Sequence, residues 1–109
     1  MPFIEVKSVN QWNEIVSMVG DGIIIAKMGA TWCGPCRAML APFKRMSDEY
    51  SDVLFLEIDI DDLPDVADKF EVTSVPTILV INGNNIVKRL VGGGSSVLSE
   101  IRGAINSIA

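Results

Sequence analysis

Two hydrophobic periods take turns along this chain, and their order limits its architecture more than any other feature. Phe3 to Val6 reads as a short strand. Ser8 offers an N-cap, with Gln11 three residues on completing a capping box. Val9, Trp12, Ile15, Val16 and Val19 follow at helical spacing, and Gly20 supplies the stop. Ile23 to Met28 is short and rich in β-branched residues, the pattern of a buried strand. Met39, Leu40, Phe43, Met46 and Tyr50 mark an amphipathic helix, and Pro42 within it is expected to kink it. Val53 to Asp59 is the third strand, and Pro64 opens a short helix carrying Val66, Ala67 and Phe70. Thr77 to Ile81 and Ile86 to Val91 flank Asn82-Gly83-Asn84-Asn85, a hairpin signal. Val97, Leu98, Ile101, Ile105 and Ile108 then share one face of a last helix. Strands that alternate with helices need crossover connections and a parallel core, and the final hairpin adds an antiparallel edge. The class is α/β, a central mixed sheet with helices on both faces.

Composition narrows the chemistry. The chain has 109 residues, 49% of them apolar, which suits a single domain over residues 1–109. Nine Lys and Arg against fourteen Asp and Glu leave a net charge of −5, so no basic patch can replace the counterions of a nucleic acid. There is no histidine. That removes an imidazole general base, Ser-His and Cys-His dyads, and His-containing zinc sites. Met1-Pro2-Phe3-Ile4-Glu5-Val6 has neither a basic leader region nor a long apolar run. The most apolar stretch, Ile23-Ile24-Ile25-Ala26, stops at Lys27, far short of a bilayer span. A soluble intracellular protein, with no membrane or nucleic-acid partner, is the expectation.

Attention therefore falls on Cys33 and Cys36, in Trp32-Cys33-Gly34-Pro35-Cys36. A bridge between them closes a tiny ring and constrains little of the unfolded chain, so a structural staple is a poor reading. The pair sits where the second strand hands over to the second helix, and ligand sites in open α/β sheets gather at such carboxyl ends. A helix that begins just after Cys33 aims unsatisfied N–H groups and a partial positive charge at the first sulfur. That favours the thiolate, the form that attacks disulfides. Cys33 can then attack a substrate disulfide and Cys36 resolve the mixed disulfide. Pro35 stiffens the first turn, where its missing N–H costs nothing. Two thiolates fall short of a four-ligand metal site, although two subunits could share one.

The chain resembles the thioredoxin family from about Phe3 to Ile108. The residues that carry the likeness are Ala30-Thr31-Trp32-Cys33-Gly34-Pro35-Cys36-Arg37, Ala41-Pro42-Phe43, Phe55-Leu56-Glu57-Ile58-Asp59-Ile60-Asp61, Val75-Pro76-Thr77 and Val91-Gly92. The acidic third-strand stretch is more similar to the eukaryotic branch than to the bacterial one. The resemblance implies the thioredoxin fold, a central five-stranded mixed β-sheet flanked by four α-helices. It implies a cytoplasmic, monomeric protein-disulfide reductase with Cys33 as nucleophile and Cys36 as buried resolving thiol. No cofactor would be bound beyond the redox-active disulfide. Electrons would come ultimately from NADPH through a separate thioredoxin reductase and pass to disulfide-containing protein substrates. Pro76 would be cis and face the dithiol, where the residue alone suits an ordinary trans turn. Val75 would pair its backbone with a substrate strand. Trp32, Gly34, Pro35, Val75, Pro76 and Gly92 would form a flat apolar docking surface, and Asp61 would hydrogen-bond the Trp32 indole.

Lys27 departs from the pattern. It stands six residues before Cys33, where the family keeps a buried Asp that assists proton transfer from the resolving thiol. Met28 and Gly29 also replace the family's more usual residues. A buried lysine is unfavourable unless paired, and Glu57 on the neighbouring strand is the obvious partner. A cation near Cys36 would favour its thiolate and raise the reduction potential, whereas a neutral Lys27 could accept the Cys36 proton. A snorkelling Lys27 with no catalytic effect is the plainer alternative. Slowed exchange at this position would suit a second function, a redox-sensitive protein-binding module. Asp59, Asp61, Asp62, Asp65 and Asp68 lack the loop Gly and terminal Glu of a calcium loop and read as a solvated face. Met39 and Met46 read as core. Gly92-Gly93-Gly94-Ser95-Ser96 reads as a flexible connection plus an N-cap.

Overall fold

The chain's alternating periods become nine elements in the expected order, seen in a computed structural model that describes residues 3–108. Met1 and Pro2 of the leader reading, and Ala109 of the expected 1–109 domain, lie outside the described residues. The strands are β1 (Phe3–Val6), β2 (Ile23–Gly29), β3 (Leu54–Asp59), β4 (Thr77–Asn82) and β5 (Asn85–Val91). The helices are α1 (Val9–Val19), α2 (Gly34–Glu49), α3 (Pro64–Lys69) and α4 (Ser95–Ile108). The sheet order is β1-β3-β2-β4-β5. β1, β3 and β2 run parallel, joined through α1 and α2, while β4 and β5 are antiparallel to their neighbours. No helix among the described residues is long and apolar enough to cross a membrane.

Local chemistry sets most of the boundaries. Ser8 Oγ accepts the Gln11 N–H at 3.0 Å, and Gln11 Oε1 accepts the Lys7 N–H at 2.6 Å, so two orphan donors before and within the first turn of α1 are satisfied. The hairpin is tighter than its four-residue signal: Asn82 pairs with Asn85, leaving Gly83 and Asn84 as the turn, with Gly83 at φ 65°. Pro42 lies inside α2 without ending it, although it has no N–H to reach the Ala38 carbonyl. Before α4, the Gly94 carbonyl accepts the Leu98 N–H at 3.2 Å, so Gly94, not a serine, takes the capping position.

The pleat then sorts side chains between two cores. Ile24, Ala26 and Met28 of β2, with Leu56 and Ile58 of β3, pack beneath Trp12 and Ile15 of α1 and Val66 of α3. Ile25 and Phe55 face the other way, against Met39, Phe43 and Met46 of α2 and Ile101 and Ile105 of α4. Phe43 and Phe55 meet edge to face with ring centroids 5.1 Å apart. By the same alternation Lys27 and Gly29 of β2 and Glu57 of β3 lie on the α2 face. The β2–β3 register sets Lys27 directly beside Glu57. Three residues that are unusual for a strand interior are thereby gathered under the start of α2.

Candidate functional site

The site is built where β2 ends and α2 begins. The Cys33 N–H donates to the Ala30 carbonyl at 3.2 Å, a turn that swings the chain from strand to helix. Cys33 is the N-cap of α2, and its Sγ accepts the Cys36 N–H at 3.1 Å. Its carbonyl accepts the Arg37 N–H, the first helical bond. A sulfur in this position takes the role that a serine oxygen takes in an ordinary cap, and the helix end favours negative charge on it. Cys33 and Cys36 are joined in a disulfide and both are buried, packed with Ala30, Ile60 and Val75. Pro35 lies in the first turn, where its missing N–H leaves no vacancy in the ladder.

An apolar rim surrounds the dithiol. Trp32 is 65% exposed, and its indole N–H donates to Asp61 Oδ2 at 2.8 Å, which holds a large aromatic surface open to solvent. The Asp61 N–H in turn donates to Asp59 Oδ1. Gly34 and Pro35 are exposed beside it. Val75–Pro76 is a cis peptide, with Val75 half-buried against the cysteines. The Gly92 N–H donates to the Pro76 carbonyl at 2.9 Å, so the turn after β5 is tied to the turn before β4. Gly92 sits at φ 101°, in the region that favours glycine.

Behind the dithiol lies an ion pair. Lys27 is 1% exposed, and its Nζ donates to both Glu57 oxygens at 2.9 Å each. The side chain is buried and paired, not snorkelling. Its charge is met by the carboxylate expected as its partner, Glu57. Glu57 is 22% exposed. It borders a cleft of about 250 Å³ that also touches Lys27, Gly29 and Cys36. Burial pushes the Glu57 carboxyl above its ordinary range, with Lys27 pulling against the rise and Glu5 and Asp59 adding to it.

Residues 3–105 match the family described as Thioredoxin. The chain belongs to the thioredoxin family. It is 32% identical to thioredoxin-2 of Saccharomyces cerevisiae, over 88% of this chain and 91% of that one. Against human thioredoxin the identity is 40%, over 67% of this chain and 70% of its relative. Among solved structures, a thioredoxin of Nicotiana alata superposes with a TM-score of 0.86 at 35% identity, covering 92% of this chain and 89% of its own. A poplar thioredoxin h superposes with a TM-score of 0.89 at 27% identity, covering 96% of each chain. The fold is the thioredoxin fold. With the Cys33–Cys36 pair in place, this member of the family is a thiol–disulfide oxidoreductase, and it carries its redox group as a disulfide of its own chain.

Two glycines that pack against the site escape a motif search. A side chain at Gly93 would press on Met39 Sδ at 3.3 Å and Pro35 Cβ at 3.5 Å, so the glycine lets the 92–94 turn lie against the first turns of α2. A Cβ on Gly29 would sit 3.4 Å from both Cys36 Sγ and Glu57 Oε1. Two-residue periodicity from Lys27 already assigns Gly29 to that face, and this is the signal that could have found it.

The raised Glu57 carboxyl has a consequence for stability. The folded protein holds this proton more tightly than the unfolded chain. Its contribution to stability is therefore full below the ordinary carboxylate range and is lost as pH rises through the raised value. In denaturant titrations, the unfolding free energy of wild type minus that of Glu57→Gln should fall as pH goes from acid to neutral. A flat or rising difference would contradict the burial of the carboxyl.

Proposed function

We propose that this protein is a general protein-disulfide reductase, in which Cys33 attacks a substrate disulfide and Cys36 resolves the mixed disulfide. The observation that carries the assignment is the Cys36 N–H directed at Cys33 Sγ, because it favours charge on the attacking sulfur. In the first step Cys33 thiolate bonds to one substrate sulfur and the other leaves as a thiolate. In the second, Cys36 bonds to Cys33 and releases the remaining substrate sulfur. Two electrons pass from the dithiol to the substrate, and the Cys33–Cys36 disulfide is the product.

Trp32, Gly34, Pro35, Val75, Pro76 and Gly92 form the docking surface in this reading. Trp32, Gly34 and Pro35 are its exposed part, Val75 and Gly92 are half-buried, and Pro76 is buried behind them, so it contributes by shaping the turn. An extended substrate segment pairs with the Val75 backbone, a mode that reads main chain and tolerates many side chains. Asp61 supports the site by holding Trp32. A reductase of many proteins needs such shallow recognition.

The protein works as a cytoplasmic monomer of one domain over residues 1–109. It carries electrons from NADPH by way of thioredoxin reductase, and neither nucleic acid nor membrane is a partner. The net charge of −5 and the family's habit support this reading. NADPH absorbance in a mixture of thioredoxin reductase, this protein and insulin tests it. Absorbance should fall only when all three are present. A wild type that fails to reduce insulin yet holds a protein partner in its reduced form would instead make it a binding module.

A further inference from the structure

Cys36 must lose a proton before it can attack, and at 3% exposure it has little water of its own. The family's acceptor position holds Lys27, whose ammonium donates to both oxygens of Glu57 and offers no lone pair to a thiol. Glu57 is differently placed. Its Oε1 and Cys36 Sγ each lie 3.4 Å from the point a Gly29 Cβ would occupy, so less than twice that distance separates them. Residue 29, being glycine, places no side chain of its own between them.

We propose that Glu57 accepts the Cys36 proton in the resolving step and that Lys27 is the positioning residue that aims its carboxylate. The inference rests on Cys33 as attacking and Cys36 as resolving thiol. The proton crosses directly or through one water from Cys36 Sγ to Glu57, leaving a thiolate and a carboxylic acid. The thiolate's electron pair forms the bond to Cys33 Sγ. The bond from Cys33 to the substrate breaks, and its electron pair leaves on the substrate sulfur. Glu57 then returns its proton to solvent through the cleft it borders. Burial supports this role, since a carboxyl held above its ordinary range is a better match for a thiol.

The charged surroundings are mixed. Lys27 of β2 faces the carboxylate, Glu5 of β1 and Asp59 of β3 repel it, and Lys7 pairs with Glu5 at the mouth. Arg37 of α2 and Asp62 line the same cleft. Of the carboxylates in this group, Glu57 is the one brought beside Cys36 across Gly29.

Stopped-flow mixing of reduced protein with one equivalent of dithiobis(nitrobenzoate) separates the two steps. The first release of thionitrobenzoate reports attack by Cys33 and the second reports resolution by Cys36. Glu57→Gln should leave the first phase within about twofold and slow the second about 100-fold at neutral pH. The second phase should then rise about tenfold per pH unit, as hydroxide takes over from the missing base, and approach wild type in alkali. Gly29→Ala sets a methyl in the gap at ordinary contact distance and leaves the ion pair intact, so it tests the same step in a folded protein. It should slow the second phase about tenfold and spare the first. An unchanged second phase in Glu57→Gln, or equal slowing of both phases at every pH, would overturn the proposal. If Glu57→Gln does not fold, a wild-type second phase in Gly29→Ala overturns it alone. Loss of the first phase in wild type would instead overturn the roles given to the cysteines, so the two failures are distinct.

Discussion

Cys33→Ser is expected to abolish insulin disulfide reduction with dithiothreitol as electron donor, down to the rate of dithiothreitol by itself. A serine oxygen cannot enter sulfur–sulfur exchange, and the remaining thiol, Cys36, does not occupy the N-cap position that favours charge on Cys33. Cys36→Ser should fail in a different way. The donor that favours charge on Cys33 is the backbone N–H of residue 36, and this substitution leaves it in place. Attack therefore proceeds and resolution does not, so the variant accumulates as a mixed disulfide with its substrate, visible as a mass increase that a reductant reverses. Turnover by Cys33→Ser at half the wild-type rate, or adducts trapped on Cys36 in place of Cys33, would reverse the two roles.

The second large effect falls on stability. Glu57→Leu strands the Lys27 ammonium, 1% exposed, without an acceptor, and should cost about 3 kcal/mol near neutral pH. The lower end of the range for a broken buried pair applies because Glu57 itself keeps 22% exposure and contact with a cleft. Lys27→Met should cost distinctly less. The carboxyl it leaves behind keeps 22% exposure and can take water or a proton through that cleft, whereas the ammonium in the reverse variant is 1% exposed and far less hydrated. Combining Lys27→Met with Glu57→Leu should recover most of the loss, since two apolar side chains of similar volume replace a pair that is expensive to desolvate. Urea midpoints of the three variants at constant slope measure this order. A Lys27→Met loss larger than that of Glu57→Leu would contradict the asymmetry of burial.

Both results bear on what a linear sequence can disclose. The element order was legible because it depends on short-range chemistry: Ser8 with Gln11 as a cap, β-branched Ile23 to Ile25 as a strand, Asn82 to Asn85 as a turn. Boundaries shifted by a residue or two where a cap or ladder bond decided them, as at Asn85 and Gly94. Lys27 was legible as an anomaly but not as a mechanism. Its meaning depends on what lies beside it, and the partner is thirty positions away.

The sequence by itself determined the α/β class, the single redox pair at a strand-to-helix junction, the absence of any imidazole, and the exchange of a lysine for the family's carboxylate. These are properties of residue type and local spacing. The sequence could offer Glu57 as a partner for Lys27, but the tertiary structure alone decided that both carboxylate oxygens meet the buried amine, that Gly29 adjoins both that carboxylate and Cys36, and that the turns at Pro76 and Gly92 are tied together. Each depends on strand order and register, β3 beside β2 with Lys27 level with Glu57. A slip of one residue would turn Glu57 to the opposite face of the sheet and leave Lys27 beside an apolar neighbour. Register is set by the summed burial of both faces of the sheet, a quantity that no local window of the chain contains.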